Sequence, residues 1–159
     1  MENHIISNGK YYISTNKDYL DVLTIHKFLS DDSYWAKGIS KKAVEATVHY
    51  TPICYGVFDG NPEQKEAKQI GFARVVTDFV RYAWLGDVFI LPEYRGKGLS
   101  KWLIASIFEH PQLKGVSFNL STKDAHGLYS QFGFERITDA EKRMVRPMNL
   151  ESINHLYRD

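Results

Sequence analysis

The sequence predicts a mixed α/β fold: a mostly antiparallel central sheet of about six to seven strands, flanked by helices. Three observations carry this. Short β-branched and aromatic runs alternate with stretches of helical period, separated by turn residues. Asp59-Gly60-Asn61-Pro62 is a strong turn signal between two strand-like runs, which makes those runs antiparallel neighbours. Further on, the apolar run 88–91 leads through a basic glycine turn directly into a helix. The chain has 159 residues, so one domain over 1–159 is expected, long enough to bury a substantial core.

The elements follow in order. Residues 11–15 read as a first strand. Asn16 or Asp18 caps a helix whose apolar face is Leu20, Leu23, Ile25, Phe28 and Leu29. An aromatic loop, 33–38, precedes a second helix beginning at Ser40 and carrying Ala43, Val44, Ala46 and Thr47. Residues 53–58 are a second strand, and 63–68 form a hairpin tip. A third strand, 69–77, returns antiparallel, and a fourth spans 82–91, with Gly86 marking a bulge or a close backbone approach. A helix over about 97–109 is stopped by Pro111. Strand five, 116–120, is then reached by a parallel, right-handed crossover. Thr122 or Asp124 caps a short helix, 125–132, ended by Gly133. Residues 134–137 and 144–146 read as a sixth and a seventh strand, and 150–159 as a weakly helical tail.

Composition excludes several classes. Net charge is +1, so no global field favours nucleic acid or an anionic membrane as a partner. The single cysteine, Cys54, rules out an internal disulfide and any multi-cysteine metal site. The six histidines, His4, His26, His49, His110, His126 and His155, have no ligand spacing, so no metal is expected. The chain opens on no signal-peptide pattern and has no apolar run long enough to cross a bilayer, which predicts a cytoplasmic protein.

The chemistry concentrates at Arg95-Gly96-Lys97-Gly98-Leu99-Ser100-Lys101. The first amides of a helix lack internal partners and sit at the positive end of its dipole, and glycines let a ligand's oxygens come close. The product is a cradle for phosphate or pyrophosphate; a solvated strand-to-helix turn is the plainer reading. The spacing fits neither a P-loop nor a G-x-G-x-x-G dinucleotide fingerprint.

Arg95-Gly96-Lys97-Gly98-Leu99-Ser100 resembles the Arg/Gln-x-x-Gly-x-Gly/Ala signature of the GNAT N-acetyltransferase family, with Ser100 where glycine or alanine is usual. Ala125-His126-Gly127-Leu128-Tyr129, continuing to Gly133-Phe134, resembles the family's second signature, and the two together span about residues 85 to 137. The resemblance implies a splay between strands four and five. It implies acetyl-CoA as co-substrate, with pyrophosphate on the amides of Gly96, Lys97, Gly98, Leu99, Ser100 and Lys101 beside Arg95. Pantetheine would lie along Val88, Phe89 and Ile90, the Ile90 amide polarising the thioester carbonyl. Tyr129 matches the family's general acid. Its plainer reading is a hydrogen bond to the cofactor, or packing.

The base is open: Asp87, acting through water, is the first candidate, Asp78 and His126 the others, and satisfaction of Asp87 by backbone amides is the alternative. Tyr34 and Trp35 are candidate contacts for the acceptor, a small-molecule amine or an exposed amino group, against a plain packing role. Tyr50 and Tyr55 are further aromatics that hint at an apolar acceptor pocket. The expected activity is acetyl transfer to a primary amine in a ternary complex. A catalytically inactive CoA-binding module is the alternative, and a homodimer is open.

Overall fold

The computed structural model describes residues 2–158. One six-stranded sheet runs in chain order: β1 (Ile5–Asn8), β2 (Tyr11–Ser14), β3 (Ile53–Asp59), β4 (Lys68–Thr77), β5 (Tyr82–Ile90) and β6 (Ser117–Asn119). Every neighbouring pair is antiparallel except β5 and β6, which the helix α3 (Leu99–Phe108) connects in parallel. The expected mixed fold with a mostly antiparallel sheet is therefore what the chain adopts, but the sheet differs at both ends.

At the first end, β1 pairs with β2 through Gly9-Lys10, with Asn8 opposite Tyr11 and Gly9 at φ 61°. Asn8-Gly9 is a hairpin signal. It is easy to pass over here because β1 is exposed along its whole length and shows no apolar alternation. At the other end, 134–137 and 144–146 form no strand. Met144 is 97% exposed, and the Arg143 guanidinium donates to the Asn119 side chain rather than joining a ladder. Phe134 packs its ring on Phe108, Phe118 and Tyr129, but the residues after it are exposed, and strand propensity counts only where a pleated, half-buried surface continues.

The helices cover both faces. On one face, Leu103, Ile104 and Ile107 of α3 pack on Ile13, Tyr55, Val75 and Leu85. On the other, α1 (Val22–Lys27) and α2 (Lys41–Tyr50) close over Cys54, Phe72 and Phe89. Asp21, not Asn16 or Asp18, caps α1, its carboxylate accepting from Leu23 and Thr24; Asn16 caps a separate 3₁₀ turn, Lys17–Tyr19. Past Lys27 the helix widens into a π turn, Phe28–Asp32, which launches the 33–38 loop.

The short helix α4 (His126–Ser130) follows β6, and Thr122 rather than Asp124 accepts from the Ala125 amide ahead of it. The tail forms α5 (Leu150–Leu156), and its position is specific. Asn154 accepts from the Ser40 amide and donates to the Gly38 carbonyl, while the Ser40 hydroxyl donates to Tyr157. The tail thus fastens the end of the 33–38 loop where α2 begins.

Candidate active site

The site begins with an irregularity in β5. Phe72 pairs with Phe89 but Arg74 pairs with Gly86, so Asp87 and Val88 together face the single Ala73. This is the bulge that Gly86 suggested, and the residue that takes the left-handed backbone, φ 53°, is Asp87. Aspartate tolerates that conformation better than most side chains. The Asp87 carboxylate is thereby held between two donors. Arg74 Nε donates to Oδ2 at 2.5 Å, and Trp35 Nε1 to Oδ1 at 2.8 Å. Its partners are side chains, not the backbone amides of the alternative reading.

The two parallel strands then part. β5 and β6 are paired at Tyr82–Ser117, Ala83–Phe118 and Trp84–Asn119, and β5 runs on alone from Leu85 to Ile90. The Leu91 amide donates to the Ile70 carbonyl at 2.8 Å, on the β4 side. Main-chain groups alternate along a strand, so those of Phe89, across from Phe72, turn to β4 and those of Ile90 to the opposite, unpaired edge; Val88 lies in the bulge, where that alternation breaks. The Ile90 carbonyl on that edge accepts from Arg95 Nε at 3.0 Å, and the Ile90 amide lies beside it.

Directly beyond is the glycine turn. Gly96 and Gly98 both have left-handed φ, 77° and 76°. Gly98 caps α3 without a side-chain bond, and the first amide of the helix to find a carbonyl is that of Trp102, which donates to Gly98. Among the described residues the amides from Gly96 to Lys101 have no acceptor, and Lys97 and Lys101 are exposed beside them. Six unsatisfied donors at the start of a helix, with two cations, form an anion cradle.

The gap between the strands opens into a cavity of ≈ 450 Å³. Tyr34 and Trp35 roof it and span both arms. Trp35 bonds Asp87 on β5, while the Tyr34 hydroxyl accepts from the Lys123 amide at 3.0 Å, in the loop after β6. The two rings meet edge to face at 4.9 Å. Tyr129 lines this cavity and also a second one beyond β6. Burial first, then the nearby Tyr34 and Asp124, push its phenol up to about 12, so it stays protonated at neutral pH.

Of the residues picked out from sequence, the fold brings Asp87, Val88, Tyr129, Tyr34 and Trp35 around one cavity. It does not bring Tyr50 or Tyr55 there. Tyr50 is exposed on α2, and Tyr55 points into the core on the α3 face. Asp78 is spent elsewhere: it accepts from the amides of Val80, Arg81 and Tyr82, which hold its carboxyl down to about 2. His126 lines only the cavity beyond β6. Sequence reasoning missed Arg74, Trp84 and Lys123 and took Asp124 only as a candidate helix cap; all four line the cavity under Tyr34 and Trp35. Arg74 was findable only through cross-strand register, which a linear reading does not supply. No group of three or more metal-ligating side chains is close enough to hold an ion among the described residues.

Comparison with known proteins gives consistent findings. The family model for the acetyltransferase (GNAT) domain matches residues 54–136. The uncharacterized N-acetyltransferase ycf52 of Gracilaria tenuistipitata var. liui is 31% identical over 137 residues, covering 84% of this chain and 71% of that one. A protein of Xanthomonas campestris pv. campestris assigned to the GNAT family superposes with a TM-score of 0.79 at 40% identity, over 87% of this chain and 93% of that one. An acetyltransferase-fold protein of Clostridium acetobutylicum, solved with acetyl-CoA, matches in fold at 14% identity, with a TM-score of 0.60 over 89% of this chain and 96% of that one.

Proposed function

Because the chain belongs to the GNAT acetyltransferase family, we propose that it transfers an acetyl group from acetyl-CoA to a primary amine within a ternary complex. The observation that carries this reading is the β5 edge left unpaired from Leu85 to Ile90, leading straight to the amide cradle at the head of α3. A pantetheine arm has amide and carbonyl groups that can extend such an edge like an added strand. Ile90 turns its main-chain groups to it, Val88 stands beside it in the bulge, and the ring of Phe89, stacked on Phe28 at 4.0 Å, backs it. The pyrophosphate takes the amides of Gly96, Lys97, Gly98, Leu99, Ser100 and Lys101, with Arg95 closing the strand exit.

The Ile90 amide donates to the thioester oxygen as it gains charge, a contribution of a few kcal/mol in a dry site. The acceptor nitrogen enters under Tyr34 and Trp35. An ordinary alkyl ammonium has a pKa of about 10.4 and must shed a proton before it attacks. Asp87, fixed by Arg74 and Trp35, takes that proton through water, since a carboxylate has lone pairs beyond the two in use, and passes it on to solvent before the next turnover. As the C–N bond forms and the C–S bond breaks, Tyr129 gives its proton to the leaving sulfur. Its phenol, at about 12, is too weak an acid to protonate a free thiolate of about 8.5 unaided. It therefore acts in concert with loss of the second proton from nitrogen, and that proton restores the phenol through solvent. The products are the N-acetyl amine and free CoA thiol.

One observation favours a second reading, a CoA-binding module without turnover: both Asp87 oxygens already accept bonds. Thiol release measured against a panel of amines, polyamines, amino acids and peptides separates the two. Turnover is expected on one class, and Tyr129→Phe is expected to lower kcat at least tenfold while the acetyl-CoA Kd stays within twofold. Tight binding with no turnover on any acceptor supports the module; turnover untouched by Tyr129→Phe removes Tyr129 as the acid.

A further inference from the structure

Beyond Trp84 and Asn119 no ladder joins β5 to the chain that follows β6. The segment 121–124, which leads into α4 and Tyr129, is therefore held by whatever it meets on the way. Among the described residues its main chain makes one hydrogen bond to a distant part of the molecule: the Lys123 amide donates to Tyr34 Oη at 3.0 Å. Lys123 Nζ also lies over the Tyr34 ring, 5.4 Å from its centroid.

Tyr34 is itself anchored. Ser33 and Ala36 on either side of it are buried. Ser33 Oγ donates to the Leu29 carbonyl at 2.6 Å and accepts from the Ala36 amide at 3.1 Å, and the Gly38 amide donates to the Ser30 carbonyl at 3.0 Å. Trp35 meets Tyr34 edge to face and is bonded to Asp87 on the bulge. A line of contacts thus runs from the β5 bulge through Trp35 and Tyr34 to Lys123. From there the acid is close along the chain. Thr122 Oγ1 accepts from the Ala125 amide at 3.0 Å, and the Ala125 carbonyl accepts from the Tyr129 amide at 3.2 Å. The line spans the gap between the two arms, where a misplacement of about 1 Å costs a reaction up to about 100-fold. A side chain that only touched the acceptor would need no bond to the far arm.

We propose that Tyr34 is a positioning residue: its hydroxyl ties the segment 121–124 to the β5 side of the cleft and so sets where the Tyr129 phenol stands across the gap. This role rests on the acyl-transfer reading, with Tyr129 as the acid. Tyr34 and Lys123 are both exposed, so the tie opens and re-forms in solution, and its loss is felt in a rate rather than in the fold.

Tyr34→Phe keeps the ring and deletes the hydroxyl. In the unliganded protein, solvent exchange of the Lys123 amide, followed by NMR, is expected to quicken about fivefold or more, as one hydrogen bond is lost. Tm is expected to stay within about 2 °C. With the amine that the acceptor panel identifies, kcat is expected to fall about fivefold or more, while the amine KM and the acetyl-CoA Kd stay within about twofold. Because the effect runs through the acid, Tyr34→Phe added to Tyr129→Phe is expected to change kcat by less than about twofold. Lys123 exchange unchanged by Tyr34→Phe means that no tie exists in solution. A raised amine KM at constant kcat makes Tyr34 an acceptor contact instead. An equal loss of kcat with and without the Tyr129 hydroxyl detaches Tyr34 from the acid. Each of these overturns the assignment. No turnover on any amine overturns the acyl-transfer reading and the positioning role with it, while Lys123 exchange still tells whether the tie is there.

Discussion

Asp87 has a side chain only 9% exposed and is joined to one cation and one indole, so what happens when either partner is removed is a question of desolvation. Taking Arg74 away strands a carboxylate that water reaches poorly; taking Asp87 away leaves a guanidinium that is 23% exposed and can still hydrate. Arg74→Met is therefore expected to cost about 2–3 kcal/mol in urea denaturation and Asp87→Asn less, with the double variant recovering part of the Arg74→Met loss. Strict additivity of the two would mean that the pair contributes nothing as a pair. At this scale the sequence was informative where neighbours along the chain decide the role. Arg95 to Lys101 bring a glycine turn and a helix start together through consecutive residues, and Tyr129, which lines the cavity, stood out because it lies in a short motif with Gly133. It was mute where the partner is on another strand. Nothing in the linear order of Arg74, Trp35 and Asp87 announces that they meet, because that meeting is set by a register shift of one residue.

The head of α3 shows how an element can depend on conformation alone. A Cβ at Gly98 would meet nothing within 4 Å, so there is room for a side chain, yet φ is +76°. Gly98→Ala is expected to cost about 1–2 kcal/mol in stability through that backbone strain alone. If the cradle holds pyrophosphate, it should also weaken acetyl-CoA at least tenfold by turning amides out of line; unchanged affinity would show that the cradle does not hold it. Gly71 is the opposite case. A Cβ there would sit 2.9 Å from the Phe89 carbonyl and 2.6 Å from Ile90, so the close approach of β4 to the bulged part of β5 requires glycine. Most elements were legible from periodicity and turn chemistry. β1 was not, since an edge strand exposed on both faces shows no apolar alternation. The runs 134–137 and 144–146 misled for the converse reason: their local preference is for strand, but they lie largely exposed and join no ladder.

For the molecule as a whole, several buried acids titrate in the same sense. Burial, only partly offset by Lys17 and Arg74, raises the Cys54 thiol from 9.0 to about 11. Burial raises the Tyr129 phenol from 10.0 to about 12 and pushes Tyr55 up as well. The unfolded chain thus loses these protons before the folded chain does. Stability is whole below pH 9 and falls as pH rises toward 12, by up to about 1.4 kcal/mol per pH unit for each group in its window. The urea midpoint is expected to drop steadily from pH 9 upward, and a midpoint constant between pH 8 and 11 would refute it. The overall architecture was legible because one strand–turn–helix unit and the β3–β4 hairpin fix most of the sheet. The position of the tail was not, because Asn154 and Tyr157 bond Ser40 across 114 and 117 residues. That long reach orders events during synthesis. The sheet, the bulge and the glycine turn are all encoded before residue 120. The 33–38 loop, which carries Tyr34 and Trp35 over the cavity, receives its last fastenings only after residue 157 has left the ribosome.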